Sequence, residues 1–302
     1  MTAPLLSVRD LGLRRGAAWS LRGIHFEVQP GEAWGIVGES GAGKSTLLDL
    51  VLGLLAPSEG EVRLEGGPWS SLSEKERRSK RPWMQAVFQD PHASLPPHRT
   101  GWEILQEPLD IWKRGTKAER REAAARMAAR VKFPEASLDQ RPAAWSGGLA
   151  QRLAVARALM LSPRLLVLDE PLSALDPTLA GHLLELLLEL KAEGVALLFV
   201  SHDLPAVLQL CDQVLVLYGG EAMDQGACRP LLTARRHPYV RGLMEAVPDL
   251  GKLHPPLRWG AELLRPKVAG GCLLMDRCPQ ATPTCEKAPD CSGALRCHHP
   301  LG

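Results

Sequence analysis

Gly38-Glu39-Ser40-Gly41-Ala42-Gly43-Lys44-Ser45-Thr46 is the segment that most limits what this chain can fold into. It fits the pattern GxxxxGK[ST], a glycine-rich loop that cradles phosphates. Glycines let successive backbone N–H groups turn inward, Lys44 can reach β- and γ-phosphates, and the Ser45 hydroxyl suits Mg²⁺. The loop needs a buried strand before it and a helix N-terminus after it, whose dipole favours anions. Both are present. Ala33 to Val37 (AWGIV) predicts a short buried strand, and Lys44 to Leu55 predicts a helix ended by Pro57 and Gly60. Residues 38–46 are therefore candidate nucleotide-binding residues.

A second apolar run, Leu165 to Leu168, ends in two carboxylates, Asp169 and Glu170. Acids at the C-terminal end of a buried parallel strand sit where ligands bind in such sheets. Asp169 suits the holding of Mg²⁺, and Glu170 suits polarising an attacking water as general base. Val195 to Val200 and Gln213 to Leu217 predict two further buried strands. Gly148 to Leu161 predicts a helix, and Asp176-Pro177 caps another that runs to about Ala192 and stops at Gly194. Short apolar strands separated by helices predict an α/β fold with a parallel sheet covered on both faces. Leu5 to Val8, Ile24 to Val28 and Glu61 to Leu64 predict additional short strands.

The 302 residues exceed one average domain. Lys+Arg number 36 against 34 Asp+Glu, a balance that does not suggest nucleic acid as a partner. Thr116 to Val131 predicts a helix, and between Lys113 and Lys132 eight basic residues face two acids. With no aromatic interleaving, that run reads as a solvated helix face rather than a nucleic-acid patch. No apolar window is long enough for a spanning helix; the richest stretch, Leu183 to Leu190, carries Glu185 and Glu189. The N-terminal stretch has no signal-peptide pattern, so a cytosolic chain, or one peripheral on the cytosolic side of a membrane, is expected. Five of the seven cysteines fall in the last 31 residues, which in a cytosolic chain favours a metal or cluster over disulfides. Cys211 and Cys228 read as buried small hydrophobes. Beyond about residue 228 prolines multiply and regular structure is expected to fade.

Trp145-Ser146-Gly147-Gly148-Leu149-Ala150-Gln151-Arg152 resembles the LSGGxxQR signature of ABC transporter ATPases, with Trp in place of the leading Leu. Gln89 in VFQDP resembles the Q-loop glutamine, Ser173-Ala174-Leu175-Asp176 the D-loop, and His202 in FVSHD the switch histidine. The elements follow family order over roughly residues 5–230. The resemblance implies a P-loop NTPase of ABC-ATPase fold at residues 1–230, with a mixed core sheet and an inserted helical subdomain at about 90–160. It also implies ATP hydrolysis by a head-to-tail pair of subunits, ATP lying between the P-loop of one and Ser146, Gly147 and Gly148 of the other. Lys44, Glu170 and His202 become catalytic candidates, and Asp176 joins the nucleotide-binding set. Ser45, Gln89 and Asp169 become the Mg²⁺ set. Many family members stack adenine on an aromatic near the position of Arg14-Arg15; here Trp19 or the Arg15 guanidinium would serve.

His237-Pro238-Tyr239, followed by Val240 to Met244, resembles the HPYxxxLL region of oligopeptide/dipeptide importer ATPases. Residues 231–302 then correspond to that subfamily's small, irregular, cysteine-bearing extension. Related tails hold a 4Fe–4S cluster through four cysteines, matched here by Cys272, Cys278, Cys285 and Cys297, with Cys291 unassigned. Zinc, with His298 or His299, is the alternative, and unliganded thiols are a third. The resemblance implies the ATP-hydrolysing subunit of a membrane importer of oligopeptides or dipeptides, on the cytoplasmic face. Its expected partners are a second ATPase subunit (identical or paralogous), two permease subunits and, indirectly, a solute-binding protein, with no nucleic acid. The region after Gln89 is expected to dock onto the permeases. The subfamily also includes importers of metal chelates such as nickel complexes. A rival from another class is a soluble ABC ATPase acting on nucleic acid or ribosomes, against which a single cassette without a coiled coil counts. An exporter ATPase is a third reading, opposed by the tail.

Overall fold

The computed structural model describes residues 3–173, 175–247, 270–289 and 294–301. In chain order the strands are β1 (Leu6–Arg15), β2 (Ala18–Val28), β3 (Ala33–Val37), β4 (Glu59–Leu64), β5 (Gly67–Pro68), β6 (Met84–Val87), β7 (Leu165–Asp169), β8 (Ala196–Val200), β9 (Gln213–Tyr218) and β10 (Glu221–Ala227). The helices are α1 (Lys44–Leu52), α2 (Glu74–Arg77), α3 (Pro91–Ser94), α4 (Gly101–Ile111), α5 (Lys117–Arg130), α6 (Gly147–Leu159), α7 (Pro177–Ala192), α8 (Leu204–Leu210), α9 (Cys228–Ala234) and α10 (Pro238–Glu245). The chain divides into two compact units. One comprises Met1–Leu5, Val28–Glu32 and Leu72–Val200, the other Leu6–Glu27, Ala33–Ser71 and Ser201–Gly302.

In the first unit β6, β7 and β8 run parallel, with Leu165 opposite both Met84 and Ala196. Leu165 to Leu168 and Ala196 to Val200 are buried throughout, as strands covered on both faces must be. The helices between β6 and β7 start on local signals. Thr100 with Glu103 and Thr116 with Glu119 form capping boxes at the heads of α4 and α5. Helix α4 packs against α5 and α6. Helix α7 begins at Pro177 behind the Asp176 cap and ends at Ala192, where the sequence predicts, burying Leu183, Leu184, Leu187 and Leu190.

The second unit holds two sheets. Strands β2, β1, β4 and β5 lie side by side in that order. The β1–β4 pair is antiparallel, with Leu6 opposite Leu64 and an irregularity between Arg9 and Gly12. Strands β1 and β2 are ten and eleven residues long, well beyond the short segments the sequence predicts. Their exposed polar faces and the slip in β1 hide the apolar alternation. In the other sheet β3 is parallel to β9 and β10 antiparallel to β9, so the parallel prediction gives way to a mixed sheet.

Among the described residues regular structure continues past residue 228 to Glu245, and beyond it only a short turn of 3-10 helix at Pro283–Glu286 and one isolated bridge remain. Helices α9 and α10 make up that continuation, and Pro238 occupies the first turn of α10, where a proline starts a helix rather than breaking it. The final segment returns to β10. Asp224 pairs with Leu295, Gln225 donates its N–H to Ala294 O at 2.9 Å, and Arg296 donates its N–H to Met223 O at 2.8 Å. The fully buried Asp224 carboxylate is met by both arms of Arg236, at 2.7 and 3.1 Å. Among the described residues no helix is long and apolar enough to cross a membrane. Cys211 and Cys228 are buried, as predicted.

Candidate functional site

In the second unit β3 delivers the chain to Gly38, whose φ of 153° and tight surroundings exclude other residues. A Cβ there would lie 2.3 Å from Leu217 O. Gly43, at φ 103°, ends the loop as the N-cap of α1. Lys44 is buried, and its Nζ donates to Gly38 O at 2.8 Å and Glu39 O at 3.0 Å. The ammonium is thus folded back over the loop it serves, which suits a phosphate-neutralising lysine. Ala42 donates its N–H to Glu39 O at 3.1 Å, closing the turn. Ser40 and Ser45 are exposed and Thr46 half-buried. His202, just past the buried Ser201, is exposed. Of the two adenine candidates, Trp19 is half-buried with the Arg14 guanidinium over its ring at 4.2 Å, and Arg15 is exposed.

In the first unit Asp169 is the last residue of β7 and Glu170 follows in the left-handed region, φ 48°. That conformation costs a non-glycine residue energy and persists only where neighbours enforce it. Here the Glu170 N–H donates to Val200 O at 3.0 Å, and Ser173 Oγ donates to Glu170 O at 2.9 Å. Gln89 Nε2 donates to Glu170 Oε2 at 3.2 Å, so the Q-loop and acid-pair candidates meet. Ser146 caps α6, accepting the Leu149 N–H at 3.3 Å, and is itself exposed. Gly147 and Gly148 form the first turn, where unpaired N–H groups favour anions. A Cβ on Gly148 would lie 3.0 Å from Leu179 and 3.3 Å from Leu175 side-chain carbons. The departure at Trp145 is explained by its surroundings. The ring is buried, stands edge-on to Phe133 with centroids 5.4 Å apart, and donates its indole N–H to Ser137 O at 3.2 Å. Asp176 caps α7 through the Leu179 N–H at 3.0 Å. Burial pulls the Arg152 guanidinium down from its ordinary value, and the Asp176 charge opposes that shift.

The four matched cysteines come together in the second unit. Cys272, Cys278, Cys285 and Cys297 line one small cavity with Leu274 and Met275. Burial raises the thiols of Cys272, Cys278 (to about 11) and Cys297. Such thiols stay protonated at neutral pH unless a metal displaces the proton. Among the described residues no three His, Cys, Asp or Glu side chains are arranged to hold a metal ion. Cys291 lies outside the described residues.

Residues 21–173 match the family model for the ABC transporter. The chain belongs to the ABC transporter ATPase family. This ABC ATPase also matches, over residues 223–285, the model for the oligopeptide/dipeptide transporter C-terminal region. It is 40% identical over 293 residues to a peptide import ATP-binding protein of Brucella ovis, covering 93% of this chain and 92% of that protein. It is 38% identical to two proteins of Escherichia coli K12. These are the D,D-dipeptide transport ATP-binding protein DdpF (95% of this chain, 94% of DdpF) and the oligopeptide transport ATP-binding protein OppF (97% and 94%). Among solved structures, the ADP- and phosphate-bound dimer of the cassette MJ0796 matches with TM-score 0.69 and 28% identity. That match covers 74% of this chain and 99% of that one. The ABC ATPase is therefore an ATP-hydrolysing enzyme of the kind that uses ATP and Mg²⁺.

Sequence reasoning missed two residues that meet this ATPase's P-loop, Tyr239 and Arg277, and one that positions Tyr239, His237; all come from the C-terminal extension. The Glu39 N–H donates to Tyr239 Oη at 2.9 Å, and the Glu39 carboxylate pairs with Arg277. His237 caps α10, its Nδ1 accepting the Tyr239 N–H at 3.0 Å while Nε2 donates to Arg296 O at 3.1 Å. This pattern fixes the neutral tautomer, and burial depresses its pKa to about 4. Burial also raises the Tyr239 phenol above its ordinary value. The HPY triplet was the only local signal for any of them.

Proposed function

We propose that this chain is the ATP-hydrolysing subunit of an ABC importer for oligopeptides or dipeptides, peripheral on the cytoplasmic face of a membrane. The observation that carries the reading is the joining, in one chain, of an ABC cassette to an oligopeptide/dipeptide transporter C-terminal region. Relatives named for peptide import or peptide transport match over more than nine-tenths of their length, which supports the same cargo class. Its partners are a second ATPase subunit and two permease subunits, with a solute-binding protein acting through the permeases. Residues 1–230 form the cassette, with a helical subdomain at about 90–160 built on α3 to α6, and residues 231–302 form the extension.

Residues 38–46 bind the phosphates, Lys44 by charge and the loop by its amides. The exposed Ser146 and the free amides at the start of α6 bind the γ-phosphate of the nucleotide held by the partner cassette. The Asp176 region borders that nucleotide too. Ser45, Gln89 and Asp169 supply hydroxyl, amide and carboxylate oxygens, the hard donors Mg²⁺ prefers. Mg²⁺ there would neutralise charge on the phosphates. Glu170 takes a proton from the attacking water, and Gln89, at 3.2 Å, orients its carboxylate. His202 contacts the γ-phosphate or the water.

The cysteine cavity is read as the seat of a 4Fe–4S cluster on Cys272, Cys278, Cys285 and Cys297. Four thiols lining one cavity support it. His298 and His299 line the same cavity, so zinc on cysteine and histidine is the alternative occupant.

Reconstitution in proteoliposomes with the permease pair and the solute-binding protein tests the transport reading. Short peptides are expected to stimulate ATP hydrolysis and to accumulate inside. Stimulation by a nickel chelate but by no peptide would overturn the cargo, and hydrolysis indifferent to any loaded binding protein would overturn the importer.

A further inference from the structure

Glu39, the second residue of the P-loop, has its N–H and its carboxylate held by the C-terminal extension. Its N–H is taken by Tyr239 Oη at 2.9 Å, and its carboxylate is taken by the Arg277 guanidinium. Tyr239 is 1% exposed, so its hydroxyl cannot exchange this partner for water without repacking. The Tyr218 ring lies 4.9 Å from the Tyr239 ring and 5.2 Å from the Arg277 guanidinium, and it backs both. Arg277 is in turn placed by the cysteine-bearing turn. Its N–H donates to Leu274 O at 3.1 Å, the next residue is Cys278, and the Cys272 N–H donates to Cys285 O at 2.8 Å. The other side of Glu39 faces the nucleotide machinery. Its carbonyl accepts Lys44 Nζ at 3.0 Å and the Ala42 N–H at 3.1 Å.

We propose that Tyr239 and Arg277 are positioning residues for nucleotide binding. They fix Glu39, and through its carbonyl Lys44 and the loop turn, while Arg277 cancels a carboxylate that would otherwise repel the anionic phosphates. Neither touches the nucleotide. An unpaired Glu39 would place a negative charge in the loop that must receive a polyphosphate, and like charges at short range oppose binding strongly. The inference rests on the assignment of residues 38–46 to phosphate binding.

The test is equilibrium binding of a non-hydrolysable ATP analogue with Mg²⁺ to the purified full chain, with thermal unfolding recorded alongside. Lys44→Ala checks the site itself and is expected to lose most affinity. Arg277→Met is expected to weaken binding about tenfold, and less so at high salt, because added ions screen the exposed repulsion. In a Glu39→Gln background, where no carboxylate remains to be cancelled, the same change is expected to cost under about twofold. Arg277→Lys should recover most of the affinity. Tyr239→Phe, which removes the acceptor of the Glu39 N–H, is expected to weaken binding several-fold. A merely structural tail would not produce the Glu39 dependence or the salt dependence. If Lys44→Ala loses binding while Arg277→Met binds like wild type, or costs the same with Gln at 39, the proposal falls and the site stands. If Lys44→Ala binds like wild type, the site assignment falls and the proposal with it.

Discussion

Glu170 is held where a general base is useful and where an ordinary residue is uncomfortable. Its left-handed backbone is fixed by Val200 and Ser173, and its carboxylate by Gln89. Glu170→Gln keeps the shape and removes the proton acceptor, so the assembled transporter should bind ATP yet hydrolyse it about 10²–10⁴-fold more slowly. Single-turnover measurement decides this, and a rate within about threefold of wild type would remove Glu170 from the role. His237 makes a prediction of a different kind. Its folded pKa, about 4, lies below the ordinary 6.5. Between those values the unfolded chain takes up a proton that the folded chain refuses. Its contribution is therefore complete above about pH 6.5 and falls as pH drops through that window, by at most about 1.4 kcal/mol per pH unit. Urea unfolding across this range should show a steeper loss for wild type than for His237→Asn, which keeps a capping oxygen without the titration. Equal slopes would refute the assignment. Glu170 and Lys44 are legible in sequence because each belongs to a contiguous motif on a strand end or loop. Tyr239 and Arg277 are not, because they reach Glu39 from 200 and 238 residues away. No local pattern encodes such a meeting.

At the scale of elements, legibility follows how strongly neighbours in sequence determine the outcome. Strand β3 and helix α7 fall where expected because continuous apolarity, the Asp-Pro cap and Gly194 are all local. Strands β1 and β2 are underestimated because one face is polar. Helices α9 and α10 are missed because a proline in a first turn reads as a breaker. Trp145 shows the opposite case, a departure from the expected leucine that tertiary packing explains. Its ring ties the entry of α6 to Phe133 and Ser137. Trp145→Ala should therefore destabilise the chain by about 3–5 kcal/mol. Trp145→Leu should cost less, since it refills part of the volume. Denaturant unfolding measures both, and a loss below about 1 kcal/mol for alanine would mean that the ring does not anchor the helix.

For the molecule as a whole, the proposed cluster in the cysteine cavity would make the assembly of the extension depend on a bound group. Protein purified without oxygen should contain close to four irons and four sulfides per chain and absorb in the visible. Removing iron with a chelator should lower the unfolding temperature, because the cluster cross-links residues drawn from separate turns. Stoichiometric zinc without iron would replace the cluster reading with a zinc one. The return of the final segment to β10 bears on how the chain is made. The segment that bridges that edge, Ala294 to Arg296, begins 67 residues downstream of Ala227. At roughly 5–20 residues per second, translation leaves the edge uncovered for on the order of three to thirteen seconds. Throughout that interval the middle of β10 offers unpaired backbone groups to its neighbours on the polysome, and a product truncated within those 67 codons would keep them exposed.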